Sequence, residues 1–363
     1  MKIGLLHFTY APVIGGVERV IDDLQSLFVS NGHEVELIDP QHPLRSNSAP
    51  VESLPHFDTV LVHNVMTMPF DLTLRNRLAA LAQCPHFSTK TRLVNWVHDV
   101  ASISPSYRAL PSDILSELNR FEGTWTHVAV SAQVAESFHR ATGIRAIVIP
   151  NGIHPAATFH LSPRIANLAE ANDWWSRSIV LLLPARIVRR KRIEDAIRLV
   201  ECLHAHETPA ELLITGALDP HIGAGSPSAD YANFLESRIA DSCVSQHLHL
   251  LAKTGPLSPK DMTSLYQVCD AVILPSESEG FGLPALEAAL YDKPFLCNAI
   301  APLENLPGTT PVDLHAPNPQ QAINFLQNLM RTPAVRARKS VLSEHRWQFI
   351  YERAIASVII PAN

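Results

Sequence analysis

Two series of short apolar runs, each run followed by a stretch with helical spacing, constrain this chain more than any other feature. KIGLLHF (2–8) opens the first series, and HEVELID (33–39), DTVLVHN (58–64), RLVNWVHD (92–99), WTHVAVS (125–131) and AIVIPNG (146–152) continue it. Between the first two runs, Val17, Val20, Ile21, Leu24, Leu27 and Phe28 recur at the spacing of one buried helix face, and Asn31-Gly32 supplies a stop. Strands apolar on both faces and separated by helices predict a parallel sheet covered on both sides. The pattern lapses over 152–175, which reads as a linker. It resumes with SIVLLLPAR (178–186), a helix over 193–205, then ELLITGA (211–217), HLHLLAK (247–253), DAVILP (270–275) and PFLCNA (294–299). The expected fold class is α/β, with two doubly wound Rossmann-like domains over 1–160 and 161–342 and a cleft between them.

Composition narrows the function. The net charge is −6 and no long basic run is present, so nucleic acid is excluded as a partner; RRKR at 189–192 is too short to alter this. No apolar run approaches the ~18 residues of a membrane span. The five cysteines are scattered without CxxC spacing and read as buried thiols in a cytoplasmic protein. The first residues read as a strand and not as a signal peptide.

In open parallel sheets, ligands bind beyond the carboxyl ends of the strands, so the loops leaving strands carry the site. The stretch SESEGFGLPALEAAL (276–290) follows the run AVILP. Its glycines permit close backbone approach, and Pro284 suits the first turn of a helix. The N–H groups of Phe281, Gly282 and Leu283 are then free to face an anion. Glu279 and Glu287 flank the turn, where a carboxylate suits a sugar diol better than a phosphate. A second loop, PARIVRRK, brings Arg186 and Lys191, which are suited to neutralising a diphosphate; Arg189, Arg190 and Arg192 read as a solvated basic turn. A third, PVIGGVE, sets Gly15-Gly16 before a helix with Glu18 in its first turn. A fourth ends a strand at His98-Asp99, and His63-Asn64 ends another. His247 and His249 lie in a strand pattern and are not read as metal ligands, and no DxD triplet occurs.

The string from Glu279 to Glu287, EGFGLPALE, resembles the E-x7-E motif of retaining glycosyltransferases of family 4, which have the GT-B architecture. The GG turn, His98-Asp99, PNGI (150–153) and the Arg186–Lys191 loop occur in that family's order. The resemblance implies an N-terminal acceptor domain, a C-terminal nucleotide-sugar domain, and a final helix (343–363) returning to the first. It implies that Glu287 binds the ribose, that Glu279 lies near the donor sugar, and that Phe281, Gly282 and Leu283 contact sugar and phosphate. Arg186 and Lys191 would neutralise the diphosphate and His98 would touch the sugar. Gly16 and Gly216 would line the donor site, and Asn64 and Asp99 the acceptor site. Two departures stand out: Arg192 follows Lys191 where the family often has glycine, and ALDPHIGAGSPSADY enlarges the loop after Gly216.

The expected reaction is metal-independent transfer of a hexose, with no cofactor, from a UDP- or GDP-sugar to a sugar or small hydroxyl-bearing acceptor. A second copy of the chain is carried as a candidate partner. A nucleotide-sugar epimerase, a phosphorylase and a non-enzymatic nucleotide-sugar-binding subunit stay open. A nicotinamide oxidoreductase is opposed by the missing GxGxxG.

Overall fold

Strands that lie inside a parallel sheet lose water from both faces, which is why most runs of this chain are apolar throughout. The computed structural model of the protein describes residues 1–10, 12–13, 15–38, 57–84, 90–107, 109–216 and 227–360. The chain divides into two units, one formed by Met1–His154 with Glu344–Asn363 and the other by Pro155–Ser343.

The first unit holds β1 (Lys2–Leu6), β2 (Glu34–Ile38), β3 (Thr59–His63), β4 (Arg92–Val97), β5 (Thr126–Ala129) and β6 (Ile147–Val148), ordered β2-β1-β3-β4-β5-β6. Neighbouring strands run parallel. β2 is an edge and alternates accordingly: Glu34 and Glu36 point outward to the Lys2 ammonium, at 3.6 and 3.1 Å. The helix Gly16–Ser30 buries Val20, Ile21, Leu24, Leu27 and Phe28, with Val17 at the margin, as its spacing predicts. The C-terminal helical segment packs Trp347, Ile350, Ile355 and Ile359 into the same core. There the Trp347 indole donates to Asp23 (3.0 Å), and Gly152 leaves the ring room, since a Cβ at 152 would lie 2.7 Å from it. The helix Leu72–Gln83, capped by Asp71, buries Leu74, Leu78 and Leu81 and is a core helix of this unit.

The second unit holds β7 (Ile179–Leu183), β8 (Ala210–Ile214), β9 (Leu248–Leu250), β10 (Ala271–Leu274), β11 (Phe295–Cys297) and β12 (Thr309–Pro311), all parallel and ordered β12-β11-β10-β7-β8-β9. The order reverses between β7 and β10. The helix over 193–205 forms as predicted and buries Ile193, Ile197, Val200 and Leu203.

Three expectations are corrected. Residues 152–175 are not a linker: they form helices at Pro155–Thr158 and Pro163–Ala171, then bury Trp174 and Trp175 completely in the second core. The run HLHLLAK is a strand only over Leu248–Leu250 and then turns tightly over Leu251–Thr254. β12 was not foreseen, because three edge residues ending in proline carry no apolar run.

At the start of β10, the buried Asp270 accepts the Val180 N–H of β7 (2.8 Å) and pairs with Lys339 (2.6 Å) and Arg338 (2.9 Å). Lys339 also donates to the Ser178 carbonyl, and Arg338 to the carbonyls of Gln267, Val268 and Cys269 at the end of the helix Pro259–Val268. Removing the acid leaves two cations in a dry setting. Asp270→Ala is therefore expected to cost about 3–5 kcal/mol, read by urea denaturation; a change under about 1 kcal/mol would contradict the network.

In the first unit, His127 of β5 lies against Phe121 and Phe138, with ring centroids 4.8 and 5.0 Å away, and burial pushes its pKa down to about 4. The unfolded chain then takes up a proton near the ordinary pKa of ~6.5, which the folded chain takes up only near 4. Stability falls as pH drops through that window, by roughly 3 kcal/mol from this residue. His127→Gln, which keeps an acceptor for the Asn95 amide, is expected to flatten the stability loss between pH 6.5 and 4.5.

Candidate active site

In the second unit, the strand order reverses between β7 and β10, and the loops leaving these neighbouring strands meet there. They are laced together. The Glu277 N–H donates to the Arg190 carbonyl (2.9 Å), and the Arg190 guanidinium donates to the Ser278 carbonyl (2.7 Å). Glu279 forms an ion pair with Lys191, accepts the Ser276 hydroxyl (2.6 Å) and lies 3.6 Å from Arg190. Its side chain is only 8% exposed, so it is not a solvated loop acid. Burial lowers the Lys191 pKa, Glu279 opposes that shift, and the charges of Arg190 and Arg186 add to it. Arg186 itself is exposed.

Arg189 and Arg190 are exposed, as a solvated basic turn implies, and Arg192 is half-buried, but all three also make specific contacts. Arg189 lies over the Tyr231 ring at 5.3 Å, and Arg190 stitches the two loops. Arg192 adopts φ +49, ψ 46, the left-handed conformation that glycine enters at little cost. An arginine is held there by Asp195 (3.1 Å), Glu194 (3.4 Å) and Glu277 (3.5 Å).

Gly282 has φ +102, and a Cβ there would lie 2.4 Å from Leu303, so this turn requires glycine on both counts. It starts the helix Leu283–Leu290, with Pro284 in the first turn. The Phe281, Gly282 and Leu283 N–H groups make no backbone hydrogen bond among the described residues, and the Phe281 and Leu283 side chains are exposed. N–H groups so placed at a helix N-terminus are chemically suited to an anion. Glu287 lies one turn further on, exposed, with Tyr266 donating to its carboxylate (2.5 Å). Gly216, at the exit of β8, allows the backbone to press on the β7 loop: a Cβ would lie 2.4 Å from the Ala185 carbonyl oxygen. The enlarged loop after it lies outside the described residues over 217–226.

The first unit carries its own reversal, between β1 and β3. His7 donates from Nδ1 to the His63 carbonyl (2.8 Å). His63 Nδ1 and His98 Nε2 share a hydrogen bond (3.1 Å). Burial pushes the His98 pKa down to about 4, that of His63 well below its ordinary value, and that of His7 down as well. All three rings are neutral near pH 7 and serve as hydrogen-bonding groups, not charges. Glu18 accepts the Thr9 hydroxyl (2.5 Å) and folds over Gly15, whose Cβ would lie 2.1 Å from the carboxylate. A side chain at 15 would displace the Glu18 carboxylate, and Gly16 faces open space. Asn64, at φ +57, uses its side-chain oxygen to accept the N–H groups of His98 (2.8 Å) and Asp99 (3.0 Å). Asn64 therefore builds the turn, and Asp99 is the exposed group it presents.

Sequence reasoning missed His7, Arg190, Ser276 and Tyr266 as parts of these sites. His7 had a usable signal, because it follows β1 as His98 follows β4, and His63 ends β3. His247 and His249 bind one buried carboxylate, Glu211, at 2.7 Å each. Among the described residues, no three His, Cys, Asp or Glu side chains are placed to share a metal ion, and no helix is long and apolar enough to cross a membrane.

Comparison with known proteins places this geometry. Residues 14–157 match the model described as Glycosyltransferase Family 4, and residues 166–306 that of Glycosyl transferases group 1. A lipopolysaccharide 1,2-N-acetylglucosaminetransferase of Salmonella typhimurium is 24% identical over 242 residues, which is 62% of this chain and 60% of the length of that relative. Among solved structures, a Rickettsia africae glycosyltransferase aligns over 100% of this chain and 99% of its own, at 18% identity and TM-score 0.38. Anabaena HepE in complex with UDP and glucose aligns over 99% of both chains, at 20% identity and TM-score 0.37. With one family model on each unit, and the Glu279–Glu287 stretch on the strand-end turn of the second, the chain belongs to glycosyltransferase family 4 and has its GT-B type of fold.

Proposed function

We propose that this protein is a retaining glycosyltransferase that moves a hexose from a UDP- or GDP-sugar to the hydroxyl of a sugar or small acceptor, without a divalent metal. The observation that carries the reading is the Lys191–Glu279 ion pair at the strand reversal, with Arg190 3.6 Å from the acid and the charge of Arg186 acting on Lys191. Two or three cations beside free helix N–H groups suit a diphosphate, and a carboxylate among them suits the hydroxyls of the attached sugar. The name of the Salmonella relative supports glycosyl transfer as the reaction.

In this reading, the second unit binds the donor. Lys191 and Arg186 hold the diphosphate oxygens and stabilise the charge that develops as the glycosidic bond breaks. Lys191 is paired with Glu279, so a diphosphate competes for that ammonium and frees carboxylate oxygen for the sugar. Glu287 takes the ribose. In the first unit, His98 and Asp99 offer a neutral ring and a carboxylate to hydroxyl groups. The acceptor hydroxyl attacks on the face the diphosphate leaves. It forms the new C–O bond as the old one breaks, and its proton passes to a leaving phosphate oxygen.

Calorimetric titration with UDP, GDP and ADP in EDTA checks the donor site. One diphosphate is expected to bind, and Lys191→Ala to weaken it about 10- to 100-fold, the size of a lost charge-assisted hydrogen bond, while leaving the parent nucleoside nearly unaffected. Equal loss for diphosphate and nucleoside would remove Lys191 from the phosphate site. NMR of the products checks the chemistry: free nucleoside diphosphate and a glycoside with the anomeric configuration of the donor are expected. An inverted glycoside would refute retention, and an isomerised donor would make the protein an epimerase.

A further inference from the structure

Glu287 stands exposed on the helix Leu283–Leu290, where a glutamate ordinarily samples several rotamers and an ordered one costs about 1–2 kcal/mol of side-chain entropy. Here one carboxylate oxygen is held. The Tyr266 hydroxyl donates to Oε2 at 2.5 Å, and Oε1 makes no hydrogen bond among the described residues. Tyr266 is itself fixed. It lies on the helix Pro259–Val268, is 2% exposed, and stacks its ring parallel to that of Tyr291, with centroids 5.2 Å apart and planes 3° apart. The helix is anchored at its end by Arg338. Burial, with the adjacent carboxylate, raises the phenol's pKa far above its ordinary value, so the hydroxyl remains a donor throughout the working pH range. A phenylalanine would fill the same space and keep the stack. The hydroxyl's distinct contribution is to hold the Glu287 carboxylate.

We propose that Tyr266 is a positioning residue: it fixes one oxygen of Glu287 so that the other is presented to the ribose diol of the bound nucleotide, and so sets the preference for ribose over 2′-deoxyribose. The inference rests on the reading of Glu287 as the ribose ligand. A pre-oriented acceptor gains more from a ligand hydroxyl than a mobile one, because the ordering cost is met before binding.

The test uses the full chain and whichever of UDP, GDP and ADP binds wild type, each paired with its 2′-deoxy form, by calorimetry. Wild type is expected to prefer the ribose form about 10-fold, the worth of one hydrogen bond, and Glu287→Ala to abolish that preference. Tyr266→Phe is expected to reduce it below about 3-fold while binding the 2′-deoxy form as wild type does. A merely structural tyrosine would weaken both forms equally and leave the ratio at its wild-type value, which overturns the inference. If Tyr266→Phe fails to fold, Glu287→Asp draws the carboxylate back from the phenol without altering Tyr266; retention of the full preference there also overturns it. A wild type without preference, or a Glu287→Ala protein that keeps it, brings down the ribose reading itself and the inference with it. Failure confined to Tyr266→Phe leaves the ribose reading standing.

Discussion

The second unit depends on one buried carboxylate. Asp270 accepts a β7 N–H and receives both Lys339 and Arg338, so a buried carboxylate and a buried ammonium are paired, with a partly exposed guanidinium beside them. The residues it joins are the neighbouring strands β7 and β10, between which the strand order reverses. Connections leaving the two strands diverge to opposite faces of the sheet there, and the space they leave is the one place where two strand-end loops can close on a ligand. Arg338 also closes the carbonyl end of the helix that carries Tyr266. One polar network thereby ties β7 to β10 at their starting ends and anchors the helix that supports Glu287.

At the opposite, carboxyl ends of these strands lies a compact arrangement of charges. Glu279 and Lys191 neutralise each other in a setting that disfavours either charge alone. The turn is held in register by backbone and guanidinium contacts from Arg190, and by Arg192 in a conformation that most residues avoid. Where a glycine would enter the left-handed region freely, this chain uses an arginine whose side chain offsets the roughly 1–2 kcal/mol of backbone strain with three carboxylate contacts. The chain's departure from the glycine common in the family is therefore a different solution to the same backbone requirement.

How much of this could be read from the residues follows from how local each contact is. The central strands were legible because burial on both faces makes them apolar throughout, and the helix Gly16–Ser30 because its apolar spacing is regular. β12 was not, because an edge strand of three residues buries little. The segment 152–175 misread as linker because its helices are short and its two tryptophans signal core only once their partners are known. The E-x7-E string was legible because the turn, its glycine and both acids lie within nine consecutive residues. Tyr266 and Arg190 were not: they reach the acids across 21 and 89 residues, and nothing in their own neighbourhood marks them.

The two units apply one topological rule with different electrostatics. At the reversal of the second sheet, cations surround a carboxylate, and burial presses on the ammonium of Lys191. At the reversal of the first sheet, the ionisable side chains are three imidazoles that burial keeps neutral, with Glu18 tied to Thr9 and Asp99 exposed. A diphosphate has nothing to gain from neutral rings and acids, and a hydroxyl-bearing acceptor gains little from paired cations. The strand ends of the two units thus differ in charge, and they do so through burial: the same desolvation that holds His98 neutral in one sheet lowers the pKa of Lys191 in the other.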